Sequence, residues 1–235
     1  MSGENDLSHL QKARRISEGS LIEVYDAAGS LWQAKCLETV PAQFIELRAE
    51  ERLRVVSEAK IRLSLYQALP QGSKFDLVLE LAGSYGAANV VPIITEKSLF
   101  KMPNRDISGK YSRWQKILEA QSKQTGRATV TELLPICDLA NLAKAELDHD
   151  LMIFGHFSPE AASLRNYLAE HKERINESAS LSMGLFVGPE SGFTQAEAEL
   201  LKKLGATEVS FGPRVLRSEL AASFVLASLT YLELI

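Results

Sequence analysis

Cysteine is almost missing from this chain of 235 residues: Cys36 and Cys137 stand alone, with no CxxC pair and no histidine at ligand spacing. That pattern leaves no disulfide framework and no zinc or redox motif, and it predicts two reduced, partly buried thiols, no metal and a cytoplasmic protein. Long hydrophobic runs are missing too. No apolar stretch reaches the length of a membrane span, and the opening MSGENDLSHLQKARR has no signal-peptide core, so no membrane partner is expected. The common phosphate-cradling motifs are absent, since neither GxxxxGKS/T nor GxGxxG occurs. Nor is there a basic excess: the formal charge of -4 gives no global reason to expect a nucleic acid as partner.

Hydrophobic residues at 46% and charged residues at 24% are the balance of a folded globular protein, long enough to bury a real core. The N-terminal part reads as β. SLIEVYD, SLWQAKCLE and QFIELRA are short, partly alternating runs, and DAAGS is a turn between the first two. Strands this short need closure or a cover, which predicts a small barrel or sandwich. From about Ile61 the chain alternates strand and helix. IRLSLYQAL, NVVPIIT, LMIFGHF, LSMGLFVG and TEVSFG read as strands. Helices are expected from Ser73, over Lys110 to Thr125, at LANLAKAEL, over Pro159 to Glu173, over Thr194 to Leu204, and from Val215 to the end. Repeated β-α order with nearly all-apolar strands means an α/β domain with a parallel sheet covered on both faces. The boundary falls near Val56 to Lys60, giving domains 1–58 and 59–235.

Two turns stand out. FVGPESGFTQAEAELLKKLG passes from an apolar strand through Gly188-Pro189-Glu190-Ser191-Gly192 into a helix with a capping box, Thr194 and Glu197, and a glycine stop at Gly205. SFGPRVLRSELAASF repeats the strand, Gly-Pro turn and helix. Turns of this kind lie at the carboxyl ends of strands, where open α/β sheets bind ligands, and glycine lets the backbone approach them closely. A carboxylate in the first turn disfavours phosphate and suits a neutral or cationic ligand. Arg217 and Glu219 near the second turn fit either a structural ion pair or a site for developing negative charge.

VGPESGFTQAEAELL followed by SFGPRVLRSELAASFVLASL resembles the paired C-terminal motifs of the RsmE family of SPOUT-class RNA methyltransferases. ITEKS, SRWQKILEAQSKQTGR and SHLQKARRISEGSLIEVYDAAGS resemble its middle and N-terminal motifs in the right order. The resemblance implies a C-terminal parallel sheet tied in a deep trefoil knot and a small N-terminal PUA-like β-barrel that binds RNA. It implies a homodimer, S-adenosylmethionine as cofactor, and methylation of N3 of one uridine in small-subunit (16S) ribosomal RNA. Cofactor contacts are then expected at Phe154, Gly155, Gly188, Pro189, Glu190, Gly192, Phe193, Phe211, Gly212, Arg214 and Leu216, with His156 as a polar rim. Two positions depart from the family pattern. Ser191 replaces a glycine and would be strained at positive φ, and Lys97 stands where arginine is usual.

The partner would be ribosomal RNA or the small ribosomal subunit. Between Glu96 and Arg127, Lys97, Lys101, Arg105, Lys110, Arg113, Lys116, Lys123 and Arg127 face only Glu96, Asp106 and Glu119. On a wheel of about 100° per residue, Lys116, Lys123 and Arg127 fall within about 40°, opposite Trp114 and Leu118. With Lys97 and the cluster at Arg14 and Arg15, these are the expected RNA contacts. Methylating N3 requires that its proton be lost, so a cation to stabilise the anion (Arg217, with Arg214 and Lys97 behind it) or a carboxylate base (Glu96 or Glu219) is expected. The last helix is apolar on more than one face, predicting a two-fold interface through Phe224, Leu226, Leu229 and Leu232. Two alternatives remain at this point: methylation at another RNA position such as a ribose 2'-oxygen, and a non-catalytic RNA-binding or ribosome-assembly factor.

Overall fold

The computed structural model describes residues 16–26, 30–40, 43–54, 59–98, 107–127, 129–142, 147–156, 158 and 161–235. The chain divides into two compact units, Met1–Ser57 and Glu58–Ile235.

In the first unit β1 (Leu21–Tyr25), β2 (Leu31–Val40) and β3 (Phe44–Arg54) form an antiparallel sheet in that order. The three strand runs of the sequence are all present, and the third continues to Arg54. Central β2 buries Ala34 and Cys36 completely. The start of β2 is held by Asp26, whose carboxylate accepts from the Ser30 N–H at 2.9 Å and from Trp32 Nε1–H at 2.8 Å. Arg52 closes the corner, donating to Ser30 Oγ at 2.6 Å with its guanidinium 5.7 Å over the Trp32 ring.

The second unit is an eight-stranded parallel sheet with helices on both faces. Its strands are β4 (Ile61–Ala68), β5 (Asn89–Ile94), β6 (Glu132–Leu133), β7 (Cys137–Asp138), β8 (Leu151–Gly155), β9 (Ala162–Ser163), β10 (Leu181–Val187) and β11 (Thr207–Ser210). Helices α1 (Lys74–Tyr85), α2 (Ser108–Thr125), α3 (Leu139–Leu142), α4 (Leu164–Glu170), α5 (Lys172–Glu177), α6 (Gln195–Lys203) and α7 (Ser218–Tyr231) alternate with them. Side-chain alternation splits each strand between two cores. Leu63, Leu65, Ile153, Met183 and Leu185 pack with Leu79, Trp114, Leu226 and Leu229 on one face. Tyr66, Ala68, Phe154 and Phe186 pack with Phe193 and Leu201 on the other.

The spatial order is β6-β5-β4-β10-β8-β11-β9, with β7 beside β5. The chain therefore returns twice into the sheet's interior: β10 pairs with both β4 and β8, and β11 with both β8 and β9. This puts the carboxyl ends of β8, β10 and β11 side by side.

Three expectations are corrected. Of the helix anticipated over Pro159 to Glu173, Pro159 and Glu160 lie outside the described residues, and residues 161–163 are not helical; α4 begins at Leu164, where Ser163 caps it by accepting from the Asn166 N–H at 3.2 Å, and it breaks at His171 before α5. The last helix starts at Ser218 rather than Val215, because Arg217 is extended (φ -61°, ψ 151°). Of the four residues assigned to a two-fold interface, Leu226 and Leu229 are wholly buried in the chain's own core, on the α7 face they share with Ala222 and Val225. Phe224 and Leu232 point outward, 41% and 49% exposed. No described helix is long and apolar enough to cross a membrane.

Candidate functional site

The loops that follow β8, β10 and β11 enclose a cleft of about 290 Å³. Gly155 and His156 line it from β8, residues 187–193 from β10, and Ser210, Phe211, Gly212, Arg214, Val215 and Leu216 from β11, with Ser218 and Ala221 of α7 at the back. Every residue anticipated as a cofactor contact lines this cleft except Phe154. That ring is fully buried one layer below, edge-on to Phe193 at 6.2 Å between centroids, because strand alternation turns it into the other core.

The glycines are set by space and by backbone shape. A Cβ at Gly188 would lie 3.1 Å from the Phe193 nitrogen, in a turn folded back on itself. At Gly192 φ is +69°, which a side chain resists. Ser191 is not among the positive-φ residues, so the strain expected there is not present. The turn is closed by a Gly192 N–H bond to the Pro189 carbonyl at 2.8 Å and handed to α6 by the Thr194–Glu197 capping box.

Neighbouring strand ends grip the same turn. Glu197 is buried, and its carboxylate accepts the Thr194 N–H at 2.8 Å and, from across the sheet, the Glu96 N–H at 2.7 Å. Lys97 donates to the Ser191 carbonyl at 3.3 Å. Lys74, just past β4, donates to Glu190 Oε1 at 2.7 Å. This bond is the main reason the Glu190 carboxyl lies below the usual carboxylate range and the Lys74 ammonium above its own. Both side chains are about two-fifths exposed, so the pair adds little stability, but it holds an ionised carboxylate at the cleft wall. With Arg214 also in the lining, the cleft presents one anionic and one cationic group.

Among the candidates for proton handling, Arg217 is exposed between the lining residues Leu216 and Ser218. Glu219 is buried, and its Oε2 has no hydrogen-bond partner. No ion pair joins the two among the described residues; both instead act electrostatically on Lys74. The Glu96 side chain is exposed.

Of the expected RNA contacts, Lys116 and Lys123 are exposed on α2, and Lys97 reaches the glycine-rich turn. Arg14, Arg15, Lys101 and Arg105 lie outside the described residues. Arg113 pairs with Asp76. Arg127 does not belong to the stripe. Gly126 ends the helix at φ 65°, so wheel geometry no longer applies, and the half-buried guanidinium donates to the Gly83 carbonyl at 3.0 Å and to Thr131 Oγ1 at 3.1 Å. Desolvation lowers its pKa.

The sequence reading missed Lys74, Gln67 and Ser218. Ser218 lies inside the second motif and could have been singled out there. Lys74 and Gln67 reach the site only because β10 inserts beside β4, a pairing without a local signal. Among the described residues, no group of three histidine, cysteine or acidic side chains is placed to hold a metal ion.

Residues 57–230 match the family described as RNA methyltransferase domain. The chain is 25% identical over 233 residues to the ribosomal RNA small subunit methyltransferase E of Bacillus subtilis, covering 98% of this chain and 89% of that protein. It is 28% identical to the protein of the same name from Synechocystis, covering 96% of this chain and 71% of the relative. Among solved structures it shares the fold of a ribosomal RNA small subunit methyltransferase E from Neisseria gonorrhoeae bound to S-adenosyl methionine. That match has a TM-score of 0.78 and 22% identity, and covers 97% of this chain and 90% of the other. It also shares the fold of a putative methyltransferase from Legionella pneumophila in complex with the bound cofactor SAM (TM-score 0.77, 24% identity, 98% and 90% covered).

Proposed function

This chain belongs to the RNA methyltransferase domain family, and on that premise we propose that it methylates N3 of one uridine in small-subunit (16S) ribosomal RNA, with S-adenosylmethionine as donor. The observation that carries the reading is the meeting of two Gly-Pro turns across one cleft at the carboxyl ends of three adjacent parallel strands. The residues present fit that donor. The lining offers backbone groups at glycines, an ionised carboxylate at Glu190 and a guanidinium at Arg214, matching a phosphate-free zwitterion better than a nucleotide phosphate. When bound, S-adenosylmethionine supplies an electrophilic methyl group on a sulfonium.

The chain's own residues do the rest. The turns at 188–193 and 211–216 bind and orient the donor, with Phe154 supporting them from behind. Arg217, beside the cleft, stabilises the negative charge that develops as N3 loses its proton, with Arg214 and Lys97 as further cations. A carboxylate, Glu219 or Glu96, is the alternative acceptor of that proton. Lys97, Lys116 and Lys123, with Arg14 and Arg15, serve the RNA backbone. Residues 1–58 form a PUA-like RNA-binding barrel and residues 59–235 a trefoil-knotted SPOUT domain, and the protein is a cytoplasmic homodimer joined through α7. The double return of the chain into the sheet, at β10 and β11, is what supports a knot.

Calorimetric titration with S-adenosylmethionine should give a saturable site. Nucleoside mass mapping of ribosomal RNA from a deletion strain should show loss of 3-methyluridine from the small subunit. Persistence of that nucleoside would overturn the N3 assignment, and a missing ribose methyl would point to the 2'-oxygen instead. Absence of binding at millimolar ligand would favour a non-catalytic assembly factor.

A further inference from the structure

The peptide that joins Gly188 to Pro189 has an unusual shortage of handles. Glycine leaves its ψ torsion loosely determined, and proline removes the N–H that would otherwise anchor the peptide plane. The Gly188 carbonyl is the one hydrogen-bonding group on that peptide. It accepts from Ser218 Oγ–H at 2.6 Å, a hydroxyl that is buried at the start of α7 and also lines the cleft. Because the hydroxyl proton is used on Gly188, Ser218 Oγ acts as acceptor toward Gln67, whose Nε2–H donates to it at 2.8 Å. Gln67 is fully buried at the end of β4, and its other Nε2–H goes to the Ala68 carbonyl at 3.0 Å.

The bonds thus run in one direction, from Gln67 through Ser218 to Gly188, and tie three elements distant in sequence. Gln67 Oε1 accepts nothing in return and is left buried without a partner. Stability alone does not require a glutamine here, since an apolar side chain would avoid that orphan acceptor. What the amide supplies is a donor aimed at the Ser218 oxygen, which keeps the hydroxyl proton pointed at the turn.

We propose that Ser218, aimed by Gln67, is a positioning residue that latches the first glycine-rich turn to the second and so sets the donor cleft before ligand arrives. The latch rests on the methyl-donor reading above for its purpose, though not for its existence.

Three variants test it: Ser218→Ala, Ser218→Thr and Gln67→Leu. Backbone hydrogen exchange over residues 190–193 is measured without ligand, and S-adenosylmethionine affinity by calorimetry. Ser218→Ala should speed exchange in the turn and weaken binding about five- to tenfold, the scale of one hydrogen bond. Ser218→Thr should restore both, and Gln67→Leu should shift both in the same direction by less. Unchanged exchange in Ser218→Ala overturns the latch, as does failure of threonine to rescue. If the wild-type protein binds no S-adenosylmethionine, the donor reading falls while the exchange measurement still decides the latch. Should Ser218→Ala not fold, Gln67→Leu keeps the hydroxyl in place and is judged by the same exchange criterion.

Discussion

At Gly155 the space for a next carbon is already taken. A Cβ there would lie 2.3 Å from Cε2 of Phe211 and 2.9 Å from its Cζ, well inside contact distance. Phe211 lines the cleft and leans on Phe224, with 6.2 Å between ring centroids, so it cannot swing aside without reshaping the cleft or disturbing α7. Gly155→Ala should therefore cost about 1–3 kcal/mol, as overpacked sites do, and weaken S-adenosylmethionine binding in the same variant. Urea denaturation and calorimetry check the two effects. A loss of stability with unchanged binding would mean that the Phe211 ring position matters for packing alone. Glu190 makes a complementary point at this scale. The sequence shows a carboxylate in a ligand turn, and that much is informative, but its Lys74 partner comes from the first residue of α1, after the neighbouring strand β4, and is not legible there.

One element, α6, shows how far local reading goes and where it stops. Thr194 followed by Glu197 announces a capping box, and the structure has both of its bonds. The second task of Glu197, accepting the Glu96 N–H at 2.7 Å, depends on β10 and β5 lying near each other and leaves no trace in the sequence of α6. The two roles predict an order of severity. Thr194→Ala loses one cap bond, worth about 1 kcal/mol. Glu197→Gln keeps the shape but turns one acceptor into an NH₂ facing a backbone N–H, leaving a part-buried donor unpaired at about 1–3 kcal/mol. Urea unfolding should rank glutamine at 197 as the more harmful, with equal slopes for the two variants. Equal losses would mean that the link to Glu96 contributes nothing. The same limit explains the other misses. Apolar strands and 3.6-residue periodicity made the parallel sheet and α1, α2 and α6 readable, because those signals are local. Strand order is non-local, and Arg127 was misassigned by extending a helical wheel one residue past the glycine that ends the helix.

For the whole molecule, the outer side of α7 is the surface that one chain does not explain. Leu220, Phe224 and Tyr231 are 47%, 41% and 86% exposed, and beside them lies a mostly apolar groove of about 410 Å³, lined by Leu164, Leu168, Ile175, Phe224, Leu232 and Leu234 together with Arg165, Lys172 and Asn176. In the homodimer proposed through this helix, a two-fold axis makes the contact self-complementary, so any change is introduced twice across it. Phe224→Asp would place a carboxylate in each half of one small apolar contact, where desolvation and like charge act together. The wild-type chain should sediment as a dimer and this variant as a monomer, with the isolated subunit still folded because Phe224 is only partly buried. Leu226→Ala is the contrasting control. Leu226 is fully enclosed within its own chain, so its loss should cost about 2–5 kcal/mol of folding stability whatever the assembly state. A monomeric wild-type protein would remove the partner from α7, and a Phe224→Asp variant that remains dimeric would move the interface elsewhere.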